Sequence, residues 1–156
     1  MKKVVALGSD HVGFALKKEL TDFLKDKYEI LDVGPLTYDA VDDYPDFAEA
    51  GAKAVASGKA WRGILICGSG VGVSITANKV PGIRACLCHD TFSARQGVEH
   101  VNMNVLCLGA HIIGTLWAKE LVTAFLNAEY PGVDKHQRRL NKLMAVEKRS
   151  LQGGQI

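Results

Sequence analysis

A cysteine that leads into a glycine-rich turn is the feature of this sequence with the clearest capacity for chemistry. The apolar run at 64–66 is typical of a buried strand, and it continues into Cys67-Gly68-Ser69-Gly70-Val71-Gly72. The residues from Val71 onward favour a helix that begins at this turn. Glycines allow backbone N–H groups to face an open site, and a helix N-terminus adds partial positive charge. The loop therefore favours an anion: a phosphate, an oxyanion or the thiolate of Cys67 itself.

Spacing argues against three familiar motifs for this loop. A dinucleotide-binding fingerprint needs a third glycine at position 73, where this chain has Val73. A Walker phosphate loop needs Gly-Lys-Ser/Thr after four intervening residues, and none follows. A cysteine phosphatase would need an arginine six residues after its nucleophile to grip the phosphate, and that position is again Val73. On the loop alone, a strand-to-helix turn with a small buried cysteine stays open as an alternative.

Two further acid–base candidates follow predicted elements. Asp10 and His11 come side by side after the first strand, where a carboxylate and an imidazole can transfer protons or hold a phosphate. The alternative for this pair is an aspartate that caps the first helix beside a surface histidine. His100 closes the fourth predicted helix, where a histidine more often interacts with the helix dipole. The residues alone leave both alternatives open.

A metal site is not expected from the spacing of the cysteines and histidines. The cluster Cys86-Leu87-Cys88-His89-Asp90 has ligand-type side chains, but no second pair follows at the spacing of a zinc site. A basic cluster near the C-terminus, Lys135, His136, Arg138 and Arg139, suits a phosphate clamp. Its alternative is a solvated helix face, which is favoured until the rest of a site is identified.

Composition restricts the class of protein. The chain has 156 residues, enough for one domain, and its 19 basic and 17 acidic side chains give a net charge of +2. This near balance argues against nucleic acid or an anionic membrane as the main partner. No apolar run approaches the roughly 18 residues of a membrane span, and the N-terminus leads straight into a strand, so we expect a cytoplasmic protein. Its four cysteines are expected to be reduced thiols.

Strand-like runs alternate with helical patterns along the chain. Strands are predicted at 3–7, 28–33, 64–67, 84–88 and 105–108, and helices at 14–25, 46–57, 71–78, 91–99 and 112–127. The alternation predicts one α/β domain, residues 1–149, with three layers (α/β/α) and a five-stranded, mostly parallel sheet. A helical tail at about 133–149 is expected to reach toward a partner subunit, and residues 150–156 are expected to be disordered. Sites in such sheets form beyond the carboxyl ends of the strands.

Six segments together resemble the type B ribose-5-phosphate isomerase family, whose relatives include galactose-6-phosphate isomerase subunits. They are Gly8-Ser9-Asp10-His11, Asp43-Tyr44-Pro45, Ile66-Cys67-Gly68-Ser69-Gly70-Val71-Gly72, Ala77-Asn78-Lys79-Val80-Pro81-Gly82-Ile83-Arg84-Ala85, His100 and Lys135-His136-Gln137-Arg138-Arg139. The stretch 67–84 is the most specific, and the similarity extends over residues 3–149. The resemblance implies a Rossmann-like sheet, a homodimer or dimer of dimers with the active site at the dimer interface, and neither a metal nor another cofactor.

The resemblance also implies a role for each matching residue. Cys67 is expected to be the base that moves a proton between C2 and C1 of an open-chain aldose phosphate through a cis-enediolate. Ser69 would relay a proton, while Asp10 and His100 would open the sugar ring. His100 and part of the phosphate clamp would come from different protomers. The expected substrate-binding residues are His11, Tyr44, Gly68, Gly70, Val71, Gly72, Asn78, Asn102, His111, Lys135 and Arg139.

The sequence departs from the family pattern at positions that bear on the substrate. Val101 stands where the family usually has asparagine, and His111 and Lys135 stand where arginines are usual. A histidine and a lysine do not reproduce the bidentate fork that an arginine presents to phosphate. Ribose 5-phosphate is therefore the first expectation for the substrate, with a tetrose, allose or galactose phosphate as alternatives.

Three other classes of protein are considered. A non-catalytic sugar-phosphate-binding subunit can share the fold, although the joint presence of Cys67, Ser69, Asp10 and His100 argues against it. A thiol redox protein needs a second cysteine at position 70, where this chain has Gly70. A flavodoxin-like module needs a hydroxyl-rich phosphate loop after the first strand, which this chain lacks.

Overall fold

The computed structural model describes residues 1–153, and these residues form a five-stranded sheet and six α-helices. In chain order the elements are β1 (Val4–Ser9), α1 (Phe14–Leu24), β2 (Glu29–Asp32), α2 (Tyr44–Ala56), β3 (Arg62–Cys67), α3 (Val71–Ala77), β4 (Ala85–Leu87), α4 (Thr91–Val101), β5 (Val105–Gly109), α5 (Thr115–Asn127) and α6 (Asp134–Leu151). The strands all pair in parallel, in the order β2-β1-β3-β5-β4. The predicted α/β fold with a parallel sheet is confirmed.

The central strand β3 shows how the sequence builds three layers. Ile64 and Ile66 face a core covered by α1, α4 and α5, whereas Leu65 and Cys67 face a second core covered by α2 and α3. Successive side chains of a strand point to opposite faces, so both faces of β3 are buried. This explains why β3 reads as a continuous apolar run and not as an alternating pattern.

Most element boundaries differ from the predictions by one or two residues, and three of the differences have a clear physical basis. Helix α2 begins at Tyr44, two residues earlier than predicted, because Pro45 fits the first turn of a helix, where no N–H is needed. Helix α5 begins at Thr115 because the N–H groups of Ile112 and Ile113 both bond to the Gly109 carbonyl in a turn. Helix α6 ends at Leu151, so residues 150 and 151 are helical and not disordered. Residues 154–156 of the predicted tail lie outside the described residues.

Helix α6 packs against α4 of its own chain. His136 and Leu140 are the buried residues of this helix, and most of its other side chains are exposed. The tail is therefore anchored in its own chain: its first half packs on α4, and Glu147 in its second half accepts the Gly82 N–H. None of the helices within residues 1–153 is both long enough and apolar enough to cross a membrane.

The carboxyl ends of three neighbouring strands form one edge of the sheet. β3 ends at Cys67, which is paired in register with Gly109 at the end of β5. β1 ends at Ser9, and the next N–H, from Asp10, bonds to the Ile66 carbonyl at 3.2 Å. Strands β2 and β3 lie on opposite sides of β1, so the strand order reverses at this point. Ligand sites of open α/β sheets form at such a point.

Candidate active site

Cys67 lies at the carboxyl end of β3, where a tight turn leads into α3. Gly70 has a φ of +80°, which favours glycine, and a Cβ there would lie 2.8 Å from the carbonyl carbon of Leu108. The turn directs the Gly70 N–H at Cys67, whose Sγ accepts it at 3.1 Å. Ser69 is exposed in the same turn, and its Oγ accepts the Val71 N–H at 3.3 Å. One backbone N–H therefore points at the Cys67 sulfur at the beginning of α3.

Two ring side chains use the space that the loop glycines leave open. A Cβ added to Gly68 would lie 3.2 Å from Cδ2 of His111, and the His111 N–H donates to the Gly68 carbonyl at 3.0 Å. A Cβ added to Gly72 would lie 2.6 Å from the Tyr44 ring. Both rings therefore reach the Cys67 loop because positions 68 and 72 have no side chain. The structure thus places Tyr44 and His111 next to Gly72 and Gly68, four residues that the sequence assigns to one site.

Asp10 and His11 stand beside this loop and are held by neighbouring groups. Asp10 is 6% exposed, and its Oδ1 accepts the Gly13 N–H at 3.0 Å in the turn before α1. Asp10 is not the N-cap of α1, because that position is Gly13 and no side chain caps the helix. The Asp10 carboxylate instead closes the turn that precedes α1, next to the end of β3. His11 Nδ1 lies 2.7 Å from Oδ1 of Asp42. This hydrogen bond is the main reason that the pKa of His11 is raised above its ordinary value.

A second group of predicted site residues gathers at the opposite edge of the sheet. Helix α4 starts beyond the carboxyl end of β4 and runs back for 11 residues, or about 16 Å, so His100 in its last turn lies near the beginnings of the strands. The His100 ring stacks on His136 of α6 with centroids 4.0 Å apart. Burial lowers the pKa of His136, and the nearby charges of His100, Lys135 and Arg139 lower it further. These residues form a basic cluster away from Cys67.

The two asparagines assigned to substrate binding also lie at that edge. Asn102 ends α4 with a φ of +52°, and its carbonyl accepts Nε of Arg84 at 2.7 Å. The Asn78 side chain donates to the carbonyls of Ser74 and Ala85 and accepts the Ala85 N–H. The Asn78 side chain therefore joins the end of α3 to β4 through its two bonds with Ala85, and its other amide hydrogen bonds within α3. These contacts give Asn78 a structural role, and its predicted contact with substrate stays a prediction.

The other three cysteines have the surroundings of unreactive thiols. Burial raises the pKa of Cys88 to about 12, and it also raises the pKa of Cys86 and of Cys107. His89 accepts the Gly109 N–H at Nε2, at 3.0 Å, and so ties the end of β4 to β5. Within residues 1–153, no group of three or more His, Cys, Asp or Glu side chains is arranged to hold a metal ion.

Asp42 is the site residue that the sequence did not reveal. One carboxylate oxygen, Oδ1, accepts both the His11 backbone N–H at 2.9 Å and the ring contact described above. The sequence does indicate a carboxylate near this site, because two aspartates, Asp42 and Asp43, precede Tyr44. Only the fold shows which of the two faces His11.

The chain is similar to known proteins over most of its length. Residues 5–143 match the family described as Ribose/Galactose Isomerase. Ribose-5-phosphate isomerase B of Escherichia coli is 45% identical over 150 residues, which cover 96% of this chain and 99% of that protein. D-erythrulose-4-phosphate isomerase of Pectobacterium atrosepticum is 45% identical over 131 residues, which cover 82% of this chain and 85% of that protein.

A solved structure with bound sugar phosphate has the same fold. Ribose-5-phosphate isomerase B from Mycoplasma genitalium with bound ribulose-5-phosphate superposes with a TM-score of 0.89 at 41% identity, covering 95% of this chain and 98% of that one. The match extends over the elements that carry the Cys67 loop and the basic cluster. The resemblance found in the six sequence segments is thereby confirmed, and this chain belongs to the ribose/galactose isomerase family.

Proposed function

We propose that this chain interconverts an aldose phosphate and the corresponding ketose phosphate, with ribose 5-phosphate and ribulose 5-phosphate as the preferred pair. The observation that carries the proposal is the Cys67 sulfur, which is held by the Gly70 N–H at 3.1 Å in a loop that Asp10 and His111 adjoin. The Escherichia coli relative is a ribose-5-phosphate isomerase B, and the Mycoplasma genitalium relative holds ribulose-5-phosphate.

Ring opening comes first in this mechanism, because C2 of a cyclic sugar has no carbonyl neighbour to stabilise its carbanion. One group removes the proton from the anomeric hydroxyl while another protonates the ring oxygen. We assign these two roles jointly to Asp10 and His100, since a carboxylate and an imidazole both exchange protons near neutral pH when they are suitably placed.

Proton transfer then takes place at Cys67. The thiolate removes the proton from C2, and the electron pair moves into a C1–C2 double bond while negative charge develops on the C1 oxygen. Amides of the Gly68–Gly72 stretch stabilise this oxyanion, and Ser69 moves a proton between the two oxygens. The Cys67 thiol then returns its proton to C1, which leaves the ketose and regenerates the thiolate.

The phosphate is assigned to basic side chains on both edges of the sheet. His11 and His111 belong to the Cys67 edge, and Lys135 and Arg139 belong to the cluster around His136. Arginine and lysine provide charge that does not change near neutral pH, whereas the histidines provide charge only when protonated. Binding therefore combines constant and pH-dependent attraction.

The division of these residues between two edges supports a site completed by a second copy of the chain. β3 has six residues, so its two ends are roughly 20 Å apart, and one chain does not bring Cys67 and His100 to the same small sugar. In a two-fold dimer, the Cys67 edge of one copy meets the His100 edge of the other, and two complete sites result. The proposal therefore includes a homodimer with the active site at its interface.

Exposed apolar side chains support this dimer. Helix α3 extends from the Cys67 loop to the edge where α4 ends, and Val71 and Ile75 on it are 47% and 57% exposed. At its far end an apolar groove of about 600 Å³ includes Val101, Leu143 and Val146 among its lining. Two copies packed antiparallel along α3 would cover these surfaces and place the two half-sites opposite each other.

An isomerisation assay by NMR against a panel of aldose and ketose phosphates tests the proposed function. The expected result is conversion in both directions, with the largest kcat/KM for the ribose 5-phosphate pair. Incubation in deuterium oxide should introduce one deuterium at C1 of the ketose, because the proton on Cys67 exchanges with solvent. Absence of any conversion across the panel would refute an enzymatic role and would leave the non-catalytic subunit.

A different sugar phosphate is the second candidate. The observations that favour it are Val101, His111 and Lys135 at positions where a different side chain is usual in the family. The Pectobacterium atrosepticum relative, which is as similar in sequence as the Escherichia coli one, is a D-erythrulose-4-phosphate isomerase. A larger kcat/KM for a tetrose or hexose phosphate than for ribose 5-phosphate would establish this alternative.

A further inference from the structure

His11 is fixed at two points by a single carboxylate oxygen. Oδ1 of Asp42 lies 2.7 Å from the ring nitrogen Nδ1 and accepts the His11 backbone N–H at 2.9 Å. The two residues are 31 positions apart in the chain, so this contact is made by the fold and not by local geometry. With Nδ1 engaged as a donor, Nε2 is the ring nitrogen left for another molecule. The His11 side chain is 31% exposed, so a ligand can reach the ring.

Asp42 is buried where an unpaired carboxylate would be unfavourable. Its side chain is 7% exposed, and its other oxygen, Oδ2, is buried without a hydrogen-bond partner among the residues that the structure describes. A buried carboxylate is destabilising unless a nearby positive charge compensates for its lost hydration. Protonated His11 supplies that charge. Burial of Asp42 and protonation of His11 therefore support each other.

The loop that carries Asp42 is anchored at its beginning. Lys17 is 2% exposed, and its Nζ donates to both carboxylate oxygens of Asp32 and to the Pro35 carbonyl. Near the end of the loop, the Asp42 N–H bonds to the carbonyl of Asp39 in a turn. The α2 helix begins two residues after Asp42. The carboxylate is therefore carried by a short segment that is held on both sides.

We propose that Asp42 is a positioning residue of the phosphate site, which orients the His11 ring so that Nε2 is left for a phosphate ester and keeps that ring protonated. The inference rests on the proposed function, because it takes the substrate to be a phosphorylated sugar. The charged groups that act on His11 are the carboxylates of Asp42 and Asp10, and the uncharged ring of Tyr38 meets it edge to face. An imidazolium N–H forms a charge-assisted hydrogen bond with a phosphate dianion, which a neutral ring does not.

The test compares Asp42→Asn with Asp43→Asn in otherwise unaltered protein. Asparagine at 42 keeps an oxygen acceptor but removes the charge. Asp43 is the matched control, because it is adjacent, exposed and makes no side-chain capping bond. The titration of His11 is followed by NMR of the imidazole nitrogens, and the affinity for inorganic phosphate is measured alongside.

The proposal predicts an effect of Asp42→Asn on these measurements and no effect of Asp43→Asn. In Asp42→Asn, His11 should lose its proton at lower pH. Phosphate affinity at about pH 7.5 should then fall about three- to tenfold, the scale of one hydrogen bond's net contribution to binding. At about pH 5.5 the ring is protonated in both proteins, so the difference should shrink. In the isomerase assay the loss should appear in KM and leave kcat almost unchanged. Asp43→Asn should match the unaltered protein throughout.

The outcomes separate this inference from the proposed function. If the unaltered protein isomerises sugar phosphates but Asp42→Asn behaves like Asp43→Asn, the inference is wrong and the function stands. If the protein isomerises nothing, yet phosphate binding depends on Asp42 and the His11 proton, the inference stands without the function. If Asp42→Asn does not fold, the NMR titration of His11 in the unaltered protein tests the inference. A proton on Nδ1 and a titration midpoint above that of free histidine would support it. A neutral ring with its proton on Nε2 would overturn it.

Discussion

The imidazole rings of His100 and His136 stack with their centroids 4.0 Å apart and their planes 24° from parallel. His136 is 6% exposed, and its Nδ1 has no hydrogen-bond partner among residues 1–153. Lys135 and Arg139 place further positive charge nearby. Burial and the neighbouring positive charges lower the pKa of His136, so its neutral form is favoured near pH 7. His136 therefore serves as a neutral support for the ring that we assign to sugar opening.

Because His136 is neutral in the folded chain, the free energy of unfolding should depend on pH. Its pKa in the folded chain lies below the unfolded value, so the unfolded chain binds the proton first as pH falls through about 6.5. The free energy of unfolding should therefore decrease from about pH 7 down to the lowered pKa of His136. His136→Gln should reduce this decrease, measured by denaturant unfolding at each pH. Because the raised pKa of His11 acts in the opposite sense, only the difference between the two proteins is interpreted. Parallel pH profiles would show that His136 is not buried as a neutral ring.

Cys67→Ala should abolish isomerisation without disturbing the fold. The thiolate makes and breaks the C–H bonds in the proposed mechanism, and loss of a general base lowers rates by about 10²- to 10⁴-fold. Cys88→Ala is the matched control, because burial raises the pKa of that thiol to about 12. Iodoacetamide should label Cys67 alone in the native protein and inactivate it. Near-normal turnover in Cys67→Ala would transfer the role of base to another residue, with Asp10 as the next candidate.

Gly72→Ala should impair the site through Tyr44. The added Cβ would lie 2.6 Å from the Tyr44 ring, but that side chain is 40% exposed and can be displaced. We expect a small loss of stability and a larger rise in KM, and combination with Tyr44→Ala should add little further loss because the two changes act on one contact. Gly114→Ala is the control, since a Cβ there meets no atom within 4 Å. Fully additive effects of the two substitutions would contradict the assignment.

The substrate KM should rise with pH above neutrality. His11 and His111 attract a phosphate dianion only when they are protonated, whereas Lys135 and Arg139 retain their charge. His111→Arg should flatten the rise, and it should strengthen the binding of ribose 5-phosphate if a permanent charge at this position is what this chain lacks. A KM that does not change with pH in the unaltered protein would remove the histidines from the phosphate site. Weaker binding of every phosphosugar in His111→Arg would indicate a pocket shaped for another substrate.

The sequence predicted the elements of the fold because its signals are local. Apolar runs, helical periodicity and the glycine and proline positions located all five strands and six helices of residues 1–153, and the boundary errors stayed within a few residues. The Cys67 loop was found for the same reason, since strand, cysteine and glycines are contiguous. The prediction places the beginning of α2 after Pro45, although proline is also favoured in the first turn of a helix.

Contacts between segments that are distant in the chain could not be predicted from the sequence. Asp42 reaches His11 across 31 residues, and nothing in the order of the two aspartates before Tyr44 indicates which one does so. Asn78 lies in the most specific stretch of the resemblance, yet its amide joins α3 to β4. A matching residue can thus be structural. Hydrogen bonds of this kind depend on how strands and helices pack, which a one-dimensional pattern does not contain.

The separation of Cys67 and His100 predicts complementation between two inactive variants. Cys67→Ala damages one half of the site, and His100→Asn damages the other half. In a mixed dimer of the two variants, one interface site carries both changes, whereas the other combines an intact Cys67 with an intact His100. If the subunits mix at random, half of the dimers are mixed and each has one working site, so about a quarter of normal activity should return.

This complementation distinguishes a shared site from one contained in a single chain. Each variant is measured alone, then after joint denaturation and refolding in equal amounts, with ribose 5-phosphate as substrate. Because His100 is assigned only to ring opening, His100→Asn alone should retain more activity on open-chain aldose phosphates than on cyclic ones. Mixing Cys67→Ala with Ser69→Ala, both on the same half, is the control that should restore nothing. Failure of the first pair to gain activity, although mixed dimers are present by mass spectrometry, would mean that Cys67 and His100 do not meet across an interface.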